Sequence, residues 1–174
     1  MSAVTLAQLV AIMPLARARA ETFLVPLNAA MVEFGITTLT RQASFLSQVG
    51  HESAQLRYVR ELGSGQAYEG RADLGNSQRG DGVRFRGRGL LQVTGRANYA
   101  ACGKALDLDL LAQPELLEQS INACRSAGWF WQTRGLNALA DAGDQERVTR
   151  RINGGVNGMA ERLALYREAR KVLV

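Results

Sequence analysis

The chain has 174 residues, 47% of them hydrophobic and 21% charged, with a formal net charge of +5 at pH 7. That length suits one domain with its own core, and that composition excludes a disordered or fibrous chain. Two cysteines, Cys102 and Cys124, are too few for a disulfide framework and read as buried free thiols of a protein made in a reducing compartment.

In chain order, Leu6, Leu9, Val10 and Met13 recur at helical spacing, and Pro14 closes that helix. No positive segment precedes the run, and Arg17 and Arg19 follow it. It therefore reads as an amphipathic helix and not as an export signal. No apolar run reaches the roughly 20 residues of a bilayer span, so no membrane insertion is expected. Residues 19–34 carry Phe23, Leu24, Leu27, Met31 and Phe34, with Gly35 placed to cap them. In "TTLTRQASFLSQVGHES", Leu39, Ala43, Leu46 and Gly50 form one stripe flanked by Phe45 and Val49, and the helix ends near Glu52.

Residues 63–89 hold eight glycines and few aliphatics, which predicts a long ordered loop and not a packed helix or central strand. "LLQVTGRANYAACGKAL" returns to apolar spacing. Pro114 opens a further helix with Leu116, Leu117, Ile121 and Cys124 inward and with Trp129 and Trp131 as core residues. "LNALADAGDQERVTRRI" is helical in two parts, and "NGGVNG" breaks it. A last helix presents Leu163, Tyr166 and Ala169 on one face. The expected fold is mainly α, with six or seven helices, one Gly-rich excursion and at most a small β-hairpin. No repeat or linker divides it, so residues 1–174 read as a single domain.

The chemistry centres on "GHESAQLRYVREL", residues 50–62, which holds the only histidine, His51. His51-Glu52 would begin a zinc-binding HExxH helix, but Gln55 stands at the second histidine position. One histidine and two scattered cysteines do not supply three or four metal ligands, so no metal and no cofactor are expected. No GxSxG turn supports a serine nucleophile. Two carboxylates remain, Glu52 and Glu61. Hydrolysis of a glycosidic bond needs one carboxyl to protonate the leaving oxygen and another to activate water or attack. Nine residues at about 100° each would set the pair on opposite faces of one straight helix. A bend after Val59, ahead of Gly63 and Gly65, would let them meet across a cleft. Glu52, ending a helix whose other face is apolar, is the better candidate for a desolvated carboxyl. The competing reading is two solvated glutamates near a helix end.

Two other stretches carry alternatives. "GDGVRFRGRG", residues 80–89, combines arginine, glycine and Phe85 as RNA-contacting segments do. It reads equally as a tight loop whose arginines pair with acids such as Asp73 and Asp81. The positive net charge would suit nucleic acid, a membrane surface or an acidic wall polymer. "INGGVNG" is either a helix cap or a pair of asparagine amides able to hydrogen-bond acetamido groups.

"FLSQVGHES", "YEGRADLGN", "GDGVRFRGRGLLQVTGRANY" and "RRINGGVNGMAERLALY" occur in this order from Phe45 to Tyr166. Together they resemble the family 19 glycoside hydrolases, with their chitinase-like lysozyme fold. The compact form is similar to phage and prophage endolysins. The resemblance implies a two-lobed helical enzyme with a cleft for β-1,4-linked N-acetylated sugars and an inverting mechanism. It implies Glu52 as general acid, Glu61 as general base and Thr94 as the hydroxyl that helps hold the attacking water. It makes Gln92, Asn98, Tyr99, Asn153 and Arg162 substrate-binding residues, with Arg162 near the carboxylates. Inversion implies a carboxyl separation of about 6.5–9.5 Å. Plant members carry a longer, cysteine-bearing segment between the two glutamates, which makes Glu69 in "YEGR" a rival base. They also often have a hydroxyl residue where Ala54 stands. His51 becomes a supporting neighbour of Glu52.

The resemblance implies an endolysin, with residues 1–174 a single catalytic domain and no separate wall-binding domain, that cleaves the glycan strands of peptidoglycan as a monomer and takes no nucleic acid. It would be made in the bacterial cytoplasm and reach the wall after a separate protein permeabilises the membrane. The alternatives are a chitinase acting on GlcNAc polymers and a non-catalytic nucleic-acid or wall-binding module.

Overall fold

The computed structural model describes residues 3–173. Among them are nine α-helices: α1 (Leu6–Ile12), α2 (Ala20–Glu33), α3 (Leu39–Glu52), α4 (Asp81–Arg84), α5 (Arg96–Leu106), α6 (Ser120–Thr133), α7 (Leu136–Asp141), α8 (Gln145–Asn153) and α9 (Met159–Val172). This exceeds the six or seven expected, in part because the glycine-rich excursion forms the four-residue α4.

Local signals set several helix ends. Thr5 and Gln8 close a reciprocal capping box on α1, and Pro14 diverts the chain into a 3-10 turn, Pro14–Ala16. Gly35 caps α2 in the left-handed conformation, with the Ile36 N–H donating to the Met31 carbonyl at 2.7 Å. The Thr38 hydroxyl caps α3 by accepting from the Arg41 N–H.

The larger lobe is a helical core. α3 packs along α9, α2 along α6, and α1 against α9. Phe45 from α3 and Trp131 from α6, both fully buried, meet edge to face with centroids 5.3 Å apart. Cys102 and Cys124 are free and buried, as expected. The smaller lobe is the Gly-rich region, built of 3-10 turns at Gln66–Tyr68 and Ala72–Leu74, the four-residue α4, and α5. Arg96 from α5 binds the buried Asp81 of α4 through two nitrogens at 2.6 and 2.8 Å.

Some expectations need correction. Pro114 opens only a 3-10 turn, Pro114–Glu118, because extended backbone at Gln119 separates it from α6. Ile121 is 60% exposed on the first turn of α6 instead of facing inward. The buried face of α9 is Arg162, Leu165 and Ala169, with Leu163 half-buried. No strand forms among the described residues. This agrees with the expectation of at most a small hairpin, the pairing being two isolated antiparallel bridges, Arg60–Arg88 and Arg88–Val93.

Candidate active site

Glu52 is the last residue of α3, and its carboxylate receives a hydrogen bond from the Nη2 of Arg162 on α9. Arg162 is almost wholly buried. A guanidinium there is tolerable only when its donors are engaged. Nη1 donates to Gln48 Oε1, and Nε donates to the Asn157 carbonyl at 3.1 Å. Gln48 in turn donates to Thr149 Oγ1 at 3.1 Å, and Thr149 to the Gln145 carbonyl at 2.8 Å. A polar chain from α8 through α3 to α9 thus aims the Glu52 carboxyl. His51 Nδ1 bonds Glu161 Oε2 at 2.6 Å. Its ring lies so close under Gly158 that a β-carbon there would stand 2.1 Å from Cε1. His51 therefore supports the turn before α9.

The chain reverses immediately after Glu52. Ala54, Gln55 and Leu56 have φ of 48°, 55° and 66°, a left-handed turn made without glycine. Each such residue costs about 1–2 kcal/mol, so the surroundings must impose it. The buried Ser53 hydroxyl donates to the Val49 carbonyl at 2.6 Å and accepts from the Leu56 N–H at 2.8 Å. The Gln55 N–H donates to the Gly50 carbonyl at 2.6 Å, and the Gln55 side chain accepts from the Leu15 N–H at 2.9 Å. Leu56 is fully buried. The bend thus falls at Ala54–Leu56, ahead of the expected position after Val59.

Glu61 is held on the glycine-rich lobe. Its N–H donates to the Gly87 carbonyl at 3.0 Å, and the Gly89 N–H donates to the Val59 carbonyl at 2.9 Å. Its carboxylate accepts from the Gly87 N–H at 3.1 Å and from the Tyr68 hydroxyl at 2.8 Å. Burial first, and then this bond, push the Tyr68 hydroxyl above its ordinary range, so it remains a donor. A β-carbon on Gly87 would stand 2.5 Å from Gln92 Oε1 and 3.3 Å from Thr94 Oγ1. Gly87 is thus the thin partition between Glu61 and those two side chains. Glu69, the rival base, is engaged elsewhere: its two oxygens accept from the Gly80 N–H at 2.6 Å and the Gly82 N–H at 2.8 Å. It fastens the start of α4.

A cleft of about 570 Å³ is lined by Glu52, Gln92, Thr94, Asn98 and Asn153 on its polar side, and by Leu74, Leu91, Trp129, Phe130 and Ile152 among its apolar residues. Glu61 is outside this lining and reaches it at one remove, through Gly87. Gln92 has φ of 56° and donates to the Gly89 carbonyl at 3.0 Å, and Asn98 donates to the Thr94 carbonyl at 2.7 Å. Each amide keeps its oxygen for a ligand. The Thr94 hydroxyl donates to the Gln92 carbonyl at 3.0 Å and retains its lone pairs. Asn153 shapes the turn after α8, donating to the Asn157 carbonyl at 3.1 Å and accepting from the Gly155 N–H at 2.8 Å.

Two expected substrate contacts are corrected. Tyr99 is fully buried, with its hydroxyl between the Arg86 carbonyl at 2.6 Å and Arg88 Nη1 at 3.0 Å. Arg162 touches Glu52 and is itself buried. Trp129 is not core: it is half-buried in the cleft wall. Residues two apart on a helix diverge by about 200°, so Trp129 could not share the inward face of Trp131. Tyr68 went unmarked because its partner Glu61 is brought to it by tertiary bonds. Of the arginines of residues 80–89, Arg84 and Arg88 bind within the fold as the tight-loop reading expects, though Asp73 and Asp81 pair instead with Arg71 and Arg96. Arg88 binds Glu118 at 2.8 Å, and Arg84 donates to the carbonyls of Leu111 and Ala112 at 2.8 and 2.9 Å.

A helical body, a groove with a carboxyl in its wall and a second carboxyl behind a glycine partition define the class of two-carboxylate glycan hydrolases. The profile of glycoside hydrolase family 19, described as chitinase class I, matches residues 31–143. A glycosyl hydrolase family 19 domain-containing protein of Haemophilus influenzae is 34% identical over 173 positions, covering 81% of this chain and 84% of its own. Endochitinase CHI of Arabidopsis thaliana is 32% identical over 120 positions, which cover 65% of this chain but only 43% of the plant protein. A bacterial family 19 chitinase superposes with a TM-score of 0.81 at 25% identity, over 99% of this chain and 95% of that one. Chitinase C of Streptomyces griseus HUT6037 superposes with a TM-score of 0.77 at 24% identity, over 98% and 76%. The chain belongs to glycoside hydrolase family 19 and has its lysozyme-like helical fold.

Proposed function

We propose that this glycoside hydrolase cleaves β-1,4 bonds of peptidoglycan glycan strands by an inverting reaction. Glu52 protonates the glycosidic oxygen as its bond to C1 breaks. Glu61, ionised, takes a proton from the water whose oxygen bonds C1 from the opposite face, and Thr94 helps hold that water. Arg162 then lies against the carboxylate that Glu52 becomes, stabilising the new charge. The observation that carries this reading is the partition at Gly87. The same residue binds the Glu61 carboxylate and abuts Gln92 and Thr94, which share the cleft wall with Glu52.

Peptidoglycan as substrate is supported by the net charge of +5, which favours anionic envelope polymers. It is supported also by the resemblance to compact endolysins. In that role the protein would be a cytoplasmic product, active as a monomer at the wall once another protein has opened the membrane. Among the described residues no helix is long and apolar enough to cross a membrane. A second reading, hydrolysis of chitin, is favoured by the matched proteins that are named chitinases and endochitinases.

Mass spectrometry of soluble products from purified peptidoglycan and from chitin separates the two readings, with Glu52→Gln as control. Muropeptide fragments from peptidoglycan, absent with the variant, support the first reading, and their reducing-end sugar identifies the bond cleaved. Products from chitin alone favour the second.

A further inference from the structure

Several arginines outside the cleft have an acid beside them: Arg41 has Asp141, Arg88 has Glu118, Arg96 has Asp81 and Arg125 has Glu33. Arg134 is different. It follows the last turn of α6 and lines the cleft together with Glu52 and Asn153. Its guanidinium carbon lies 4.2 Å from the centroid of the Phe130 ring, itself in the cleft wall. Among the described residues no carboxylate lies within 4 Å of it. Arg151 from α8 stands beside it, donating to the Arg134 carbonyl at 2.7 Å, and likewise has no acid partner within that distance. With Thr133 and Gly135 the two arginines border an open hollow that adjoins the cleft through Thr133 and Arg134.

A cation at a helix C-terminus is favoured by the helix dipole whatever else it does. That accounts for an arginine at this position, but not for a guanidinium turned onto an aromatic ring in the cleft wall. A guanidinium with no acid beside it retains its attraction for a ligand anion, and its plane matches a carboxylate with two parallel N–H bonds.

We infer that Arg134, backed by Arg151, is an anion-recognising subsite at one end of the cleft and takes a carboxylate carried by the glycan strand. The inference rests on peptidoglycan as substrate. In that polymer alternate sugars bear a lactyl group, which is a free carboxylate where no peptide is attached, and the peptides bear further carboxylates. Chitin bears none. The choice between acidic and neutral strands is then made by this arginine pair, apart from the carboxyls that perform the chemistry.

The test is calorimetric binding to Glu52→Gln protein, with and without Arg134→Gln, at low and high salt. Three probes of equal sugar number are used: a chitooligosaccharide, a peptidoglycan strand stripped of its peptides, and a strand retaining them. Arg134→Gln is expected to weaken binding of acidic strands about tenfold more than binding of the neutral one, roughly 1.4 kcal/mol. Salt narrows that margin, and Arg134→Lys recovers part of it. A loss on both acidic strands assigns the lactyl carboxylate, and a loss confined to the peptide-bearing strand assigns the peptide. Equal losses on all three probes, no loss, or acidic strands that fail to bind the parent protein overturn the inference. Failure of the peptidoglycan reading is visible separately, as wild-type protein that releases products from chitin and none from peptidoglycan.

Discussion

Glu52, Glu61 and Glu69 are three glutamates within eighteen residues of one another, and their partners separate their roles. Glu52 faces Arg162 and the cleft, Glu61 is gripped by Tyr68 and Gly87, and Glu69 fastens two backbone amides. Glu52→Gln and Glu61→Gln are each expected to lower kcat by about 10²–10⁴-fold while the far-ultraviolet dichroism of the fold persists. Glu69→Gln is expected to keep turnover near wild type but to lose about 1.5–3 kcal/mol in urea unfolding, the worth of hydrogen bonds to a charged group. Glu69→Gln losing activity as Glu61→Gln does would reverse the assignment of the base. Tyr68→Phe removes one donor to Glu61 and should reduce kcat about tenfold with KM little changed. At this scale the place of Glu52 at the end of α3 was legible from the apolar spacing of that helix. Tyr99 was misread because "GRANY" gives no sign that the tyrosine turns inward to Arg86 and Arg88.

The left-handed turn at Ala54–Leu56 is the element on which the two carboxyls depend. Ser53 holds it with two hydrogen bonds, Leu56 anchors it in the core, and Ala54 is exposed with no side-chain bond. Ala54→Gly should therefore raise stability by about 0.5–1 kcal/mol, because relief of left-handed strain outweighs the chain entropy of glycine. Ser53→Ala should cost about 1–3 kcal/mol by leaving the buried Leu56 amide unpaired. It should also lower kcat, since the turn sets where Glu61 lies. Equilibrium unfolding of the two variants reads both signs. The helices on either side were legible from spacing and caps, whereas this turn was not. Chains usually announce a left-handed residue with glycine or asparagine, and here tertiary hydrogen bonds impose it on alanine, glutamine and leucine. The same override separates Pro114–Glu118 from α6, since proline starts a turn without dictating whether it continues.

Across the whole molecule, the helical lobe holds Glu52 and the glycine-rich lobe holds Glu61, so the proposed reaction depends on how the lobes meet. Both lobes contribute to a core whose thiols respond to pH. Burial pushes the Cys102 thiol up to about 12, and Cys124 is raised by burial as well. An unfolded thiol ionises near pH 8.5, whereas the folded one stays neutral. The unfolded state then binds fewer protons, so this contribution to stability is intact below about pH 8.5 and declines as pH rises towards about 12. Replacing both cysteines by alanine should flatten the alkaline slope of unfolding free energy, as read by urea titrations from pH 8 upward. The helical class and the ordered motifs of the site were legible across this scale. The way Glu61 meets Gly87, Gln92 and Thr94 was not, because it arises from contacts between segments distant in sequence.

The most direct measurement is the anomeric configuration of the first product, followed by time-resolved proton NMR during cleavage of a defined β-1,4-linked N-acetylated oligosaccharide. Two carboxyls acting as acid and base on opposite faces of C1 predict that the α-anomer forms first and then mutarotates. Initial formation of the β-anomer would contradict inversion, and with it the division of labour between Glu52 and Glu61.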